Sequence, residues 1–197
     1  MDSKQSWIDR YEVGGNSGAG STGRLNEFKT LFVNSLIEKF NITSIIDLGC
    51  GQGAILQNLR VSKYVGFDVS EKVIVELKES WQNCKNFEFK TTSDVLEPQE
   101  LSLSFDVIFH LIEDEIYSEY ISSLFSLSKK YVLIYSSNTN RDDPEYATAM
   151  HVKHRIFTDD VPSNFQLTEQ HDNLFPYLST SPEDTSWSNF YLYEKIK

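Results

Sequence analysis

The chain has 197 residues, enough for one α/β domain with a full core and short for two. It carries 18 Lys and Arg against 29 Asp and Glu, a formal net charge of -11, which opposes a nucleic-acid partner because phosphate backbones are held by clustered cations. No apolar run approaches the roughly 20 residues of a membrane span, and the start MDSKQSW lacks the apolar core of a signal peptide, so the expectation is a cytoplasmic protein without a membrane partner.

Tyr11 to Arg24, YEVGGNSGAGSTGR, is a Gly- and Ser-rich stretch that lacks the Gly-Lys-Ser/Thr ending of a phosphate-binding loop and reads as a mobile lid. From Leu25 the apolar residues Phe28, Phe32, Leu36 and Phe40 recur at helical spacing. SIIDLG is a short buried strand cut off by glycine, YVGFDV (Tyr64 to Val69) a second, and FEFKTT from Phe87 a third, with helical patterns separating the first two from the later elements. LSLSF (Leu101 to Phe105) alternates as a strand, and YVLIYSS from Tyr131 is another. Between them Ile112, Ile116, Tyr120, Leu124 and Leu127 form one helical stripe, led by the acidic Glu113 to Glu115. FQLTEQ near Phe165 and SNFYLYEK near Ser188 suit an antiparallel hairpin closing the sheet.

Strands alternating with helices predict a doubly wound, Rossmann-like α/β sheet, mostly parallel. No repeat or linker divides the chain, so residues 1–197 read as one domain, 1–40 forming the lid and first helix and 41–197 the core. Cys50 and Cys84 make no disulfide framework or metal site and read as reduced thiols.

In such sheets the ligand lies beyond the carboxyl ends of the strands, against the first strand-to-helix turn. DLGCGQG sits there, with Asp47, Gly49, Cys50, Gly51 and Gly53; a Cβ at the glycines would block the approach of a ligand to the backbone. Asp68, followed by Val69, ends the next strand and is placed to accept from two ribose hydroxyls. Asp94, followed by Val95, ends the third and is placed to meet an adenine amino group.

In these residues the chain resembles the class I S-adenosylmethionine-dependent methyltransferases. DLGCGQG, GFDVS, SDV and LSLSFDVIFHL run in that family's order across roughly Ile42 to Asn138. The resemblance implies a seven-stranded sheet with a reversed last strand, S-adenosylmethionine as cofactor, Tyr11 and Phe105 among its contacts, and His110 near the transferred methyl group. Phe109 stands where many members have Glu. A narrower resemblance, carried by the N-terminal segment with DVIFHLIEDE, YSSN, HVKHRIFT and NFYLYEK, is to small methyltransferases of bacterial surface-polysaccharide gene clusters, including those of capsule O-methyl phosphoramidate decoration.

His110 is the candidate catalytic base, since an unperturbed imidazole suits proton removal near neutrality. His151, Lys153, His154 and Arg155 form a basic cluster in an acidic chain and are assigned, with Arg24 and Asn138, to a small, polar, anionic acceptor, a solvated patch being the other reading. HVKH lacks the further ligands of a metal site. Two other readings stay open: a nicotinamide-dependent oxidoreductase, opposed by glycine spacing that is not G-x-G-x-x-G, and a non-catalytic adenosylmethionine-binding protein. Oligomeric state is not legible.

Overall fold

The computed structural model of the chain describes residues 2–140 and 151–196. Helices α1 (Ser3–Glu12) and α2 (Gly23–Phe40) precede β1 (Ser44–Leu48), β2 (Lys63–Phe67), α3 (Glu71–Ser80), β3 (Phe87–Lys90) and β4 (Gln99–Phe105). Helix α4 (Asp114–Ser126), β5 (Ser128–Ser136), β6 (Phe165–His171) and β7 (Asn189–Lys195) complete the fold. Among the described residues these strands form one seven-stranded sheet of order β3-β2-β1-β4-β5-β7-β6. All neighbours pair in parallel except β7, which runs antiparallel to both β5 and β6. The reversed last strand expected from the sequence is therefore present.

Alternation along each strand separates two cores, because successive side chains leave opposite faces of a sheet. Ile45 of β1, Tyr64 of β2, Leu133 of β5 and Leu192 of β7 pack with Val33, Leu36 and Ile37 of α2 and Val73, Ile74 and Leu77 of α3. Ile46, Val65, Val132 and Tyr193 pack on the other side with Tyr117, Ile121, Leu124 and Phe125 of α4. The helices begin and end where local chemistry says they should: the side chain of Asp2 accepts from the Gln5 amide and that of Ser70 from the Val73 amide, and α2 stops at left-handed Asn41.

Three expectations need correction. No α-helix follows β1; only a single 3-10 turn, Leu56–Asn58, does. After Gly53 just a short segment remains before β2, and α2 takes the packing position instead, with Asn34 donating to the Asn58 carbonyl and accepting from the Arg60 amide, each at 2.8 Å. The stripe read on α4 is rotated: its core residues are Tyr117, Ile121, Leu124 and Phe125, whereas Ile116 and Tyr120 face a cavity beyond the strand ends. Finally, the N-terminal segment contains a helix, α1, that was not foreseen. No described helix is long and apolar enough to cross a membrane.

Candidate active site

The turn after β1 places Gly49, Gly51 and Gly53 at φ +82, +50 and +70, all in the left-handed region. All three also approach a neighbour too closely for a Cβ, Gly53 in the core and the other two at the cavity. A Cβ on Gly49 would stand 2.5 Å from Val107, and one on Gly51 would stand 2.5 Å from the Ser17 hydroxyl. Asp68, 6% exposed, accepts from the Gly51 amide and from the Ser70 amide, each at 3.0 Å, so one carboxylate ties the glycine turn to the end of β2. Burial pushes the Asp68 carboxyl above the usual carboxylate range, while those amide donors oppose the shift.

The cavity lies just past these strand ends. Its floor includes Gly49, Cys50, Gly51, Asp68 and Val69, one wall carries Phe105, Asp106, Val107 and His110, and the roof comes from Trp7, Tyr11, Ser17 and Ser21. The roof is fastened at several points. The Ser3 hydroxyl donates to Glu113 and accepts from the Ile112 amide, the Lys72 ammonium donates to the Tyr11 carbonyl at 2.8 Å, and the Ser17 hydroxyl accepts from the Gln52 amide at 3.1 Å. The Tyr11 hydroxyl shares a 2.9 Å hydrogen bond with Ser17, and burial pushes its pKa up to about 12.

His110 occupies a single 3-10 turn, Ile108–His110, rather than the start of a helix. Its Nδ1 lies 3.2 Å from the His151 carbonyl, which can only accept, so Nδ1 carries the proton and Nε2 is bare. The ring meets Trp7 edge-on at 5.0 Å and stacks on His151 at 5.6 Å. Burial drives its pKa down to about 4, against opposing effects of the His151 carbonyl and Asp106. The expectation of a base poised near neutrality is thus corrected: His110 is a neutral acceptor at physiological pH.

Other predicted residues are placed elsewhere. Asp47, 4% exposed, sits behind the turn and accepts from the Tyr64 hydroxyl at 2.8 Å; burial raises its pKa to about 6. A group raised in this way stabilises the fold below its unfolded pKa and loses that contribution as pH rises through about 6. Asp47→Asn should therefore gain stability relative to the parent as pH climbs from about 4 to about 6, keep that gain at higher pH and lose it below pH 4, in urea melts at several pH values. Gly53 packs against Leu56 and Leu77 rather than lining the cavity. Asp94 accepts from the Thr91 amide at 2.8 Å and borders a separate depression beside Trp81, and Val95 is 78% exposed. Neither lines the cavity; a carboxylate four residues past the end of β3 closes its own turn first.

The acceptor cluster is also dispersed. Arg24 donates to the Asp184 carbonyl at 2.8 Å and lies over the Phe175 ring. Asn138 holds Thr158. Arg155, 8% exposed, donates to the Leu111 and Ile112 carbonyls and pairs with Asp114 at 2.6 Å, while Lys153 pairs with the same carboxylate at 2.5 Å. His154 shares a 2.7 Å hydrogen bond with Ser137, and His151 contributes its carbonyl to His110. The basic cluster thus fastens the residues after β5 to the start of α4. Sequence reasoning missed Lys29 and Asp106, paired at 2.6 Å with Lys29 buried and Asp106 partly exposed on the cavity wall; Lys29 on the inner face of an amphipathic helix was the one available signal.

A family model described as a methyltransferase domain matches residues 40–184. The chain belongs to this methyltransferase family. Its cofactor is S-adenosylmethionine, which the site fits: glycines without Cβ atoms border the cavity, and Asp68 offers a buried carboxylate there. The N-methyltransferase NodS from Bradyrhizobium japonicum WM9, solved with S-adenosyl-L-homocysteine, superposes with a TM-score of 0.74 over 100% of both chains at 12% identity. The magnesium protoporphyrin IX methyltransferase ChlM from Synechocystis PCC 6803, also with bound S-adenosylhomocysteine, gives 0.67 over 98% of this chain and 100% of that one at 16% identity. The mRNA cap guanine-N(7) methyltransferase of Candida glabrata is 32% identical over 72 residues, 34% of this methyltransferase but only 17% of that protein.

Proposed function

We propose that this methyltransferase acts on a small polar acceptor, with His110 contacting that acceptor and α1 and the following loop closing over the cofactor. One observation carries the reading: the glycine turn, Asp68 and His110, separated by up to 61 positions in sequence, line one cavity roofed by the N-terminal segment. When bound, S-adenosylmethionine supplies a methyl carbon that bonds to the nucleophile as its C–S bond breaks, the electron pair remaining on sulfur. The chain's own residues bind, orient and exclude water. Asp68 would hold the ribose, and the Gly49–Gly51 backbone would lie against the cofactor. A precursor of a bacterial surface glycan, as in the narrower sequence resemblance, is a suitable acceptor class. Lys153 and Arg155 do not serve as its anion site in this reading, because both already pair with Asp114. Isothermal calorimetry with S-adenosylmethionine and S-adenosylhomocysteine tests the reading; absence of binding to either, with tight nicotinamide binding instead, would sink it.

His110→Ala should lower turnover ten- to a hundredfold with cofactor affinity within about twofold, because the bare Nε2 serves the acceptor. With a pKa near 4 the base form is complete above about pH 5 and is lost only as pH falls through 4. Parent activity should accordingly be flat from pH 6 to 8 as far as this residue decides it. Equal losses in turnover and affinity would assign His110 to structure.

Closure by the N-terminal segment makes a second expectation. Hydrogen exchange should slow between Tyr11 and Arg24 when S-adenosylhomocysteine binds, and removal of residues 1–22 should weaken that binding at least tenfold. Unchanged exchange together with unchanged affinity in the truncated chain would show the segment to be an arm without this role.

A further inference from the structure

The carboxylate of Asp106 is the most restrained side chain on the cavity wall, and neither cofactor binding nor the role of His110 uses it. Lys29 of α2, its side chain 4% exposed, reaches one oxygen at 2.6 Å, and the Ser188 hydroxyl at the head of β7 donates to the other at 3.0 Å. The same ammonium lies 5.3 Å from the centre of the Tyr135 ring. Asp106 has φ +57, a left-handed backbone tolerated by aspartate and asparagine better than by other side chains, and its amide donates to the Tyr135 carbonyl at 2.9 Å. Gly20 of the roof passes so close that a Cβ there would stand 2.8 Å from the carboxylate. Segments far apart in sequence converge on this one group, four positions before His110.

Desolvating an ammonium and a carboxylate is costly, and a left-handed backbone adds strain, so the arrangement has to be sought in what an apolar filling could not do. A carboxylate accepts about four hydrogen bonds. Lys29 and Ser188 supply two, one to each oxygen. The bare Nε2 of His110 is a second acceptor on the same wall.

We propose that Asp106 binds the methyl acceptor by taking a hydrogen bond from its nucleophile, with Lys29 and Ser188 as the positioning residues that aim the carboxylate. The enzyme then selects a hydroxyl or an amine bearing hydrogen and disfavours an anionic oxygen, which a wall of acceptors would leave unpaired. This inference rests on the proposed methyl transfer at the same cavity.

Sinefungin tests it without a known acceptor, because it places a protonated amine where S-adenosylmethionine carries the transferred methyl. S-adenosylhomocysteine has neither charge nor hydrogen at that atom. Calorimetry should show the ratio of sinefungin to S-adenosylhomocysteine affinity falling at least tenfold in Asp106→Asn, with the S-adenosylhomocysteine constant moving less than threefold. Ser188→Ala should lower the ratio by about threefold. Since Asp106→Asn leaves the Lys29 ammonium without its counter-ion, Lys29→Met/Asp106→Asn is measured beside it and should lose the same preference. A ratio unchanged in whichever of these variants keeps its near-UV circular dichroism overturns the inference while leaving the methyltransferase reading in place. Failure of the parent to bind S-adenosylhomocysteine overturns both.

Discussion

Asp106→Ala should destabilise the fold by about 3 to 5 kcal/mol, the usual penalty for breaking a buried ion pair. The partner left behind decides this: the Lys29 side chain is 4% exposed, so water can reach its ammonium only through the space that Asp106, 20% exposed, vacates on the cavity wall. Alanine would in addition occupy φ +57, where a Cβ without a polar group to bond locally adds about 1 kcal/mol. Urea denaturation of parent, Asp106→Ala and Lys29→Met/Asp106→Ala measures it. The double variant should recover a large part of the loss, because it removes the stranded ammonium. A shift below about 1 kcal/mol in the single variant would mean that Lys29 finds water or another acceptor without difficulty.

Asp68→Ala should weaken S-adenosylmethionine binding by about 2 to 3 kcal/mol, the cost of losing charge-assisted hydrogen bonds to two hydroxyls. The structure adds a reason for the effect to be large. Asp68 also holds the Gly51 and Ser70 amides, so its loss loosens the turn on which the cofactor would lie. Asp68→Asn separates the two contributions: it keeps one acceptor for an amide and should fall between the parent and the alanine variant. Calorimetry on the three proteins reads the series directly, and an alanine variant within twofold of the parent would remove Asp68 from the cofactor site.

The sheet and the glycine turn were legible because their signals are local. DLGCGQG needs no distant partner to demand left-handed glycines, and the continuous aromatic and apolar run FYLY within NFYLYEK marks β7 wherever it ends up. Helix α1 was not legible, since its sequence is mostly polar and it is fastened from outside, by Glu113 to Ser3 and by Lys72 to Tyr11. The basic residues after position 150 misled for a related reason. A cationic cluster in a chain of net charge -11 invites an external anion, but Arg155 and Lys153 find theirs in Asp114, about forty residues earlier. Lys29 and Asp106 are 77 positions apart, and nothing in either neighbourhood announces the other.

The insertion of β7 between β5 and β6 makes the far edge of the sheet a single cooperative unit. Among the described residues β6 has no other strand partner, so its amides can be protected from solvent exchange no better than those of β7 allow. Ser188 stands immediately before β7 and bonds Asp106. Fraying that begins at the sheet's edge and reaches Asn189 therefore releases one of the two side chains that aim the carboxylate, before any part of the glycine turn has moved. The opening free energy of this hairpin sets how much of the time the wall of the cavity is complete.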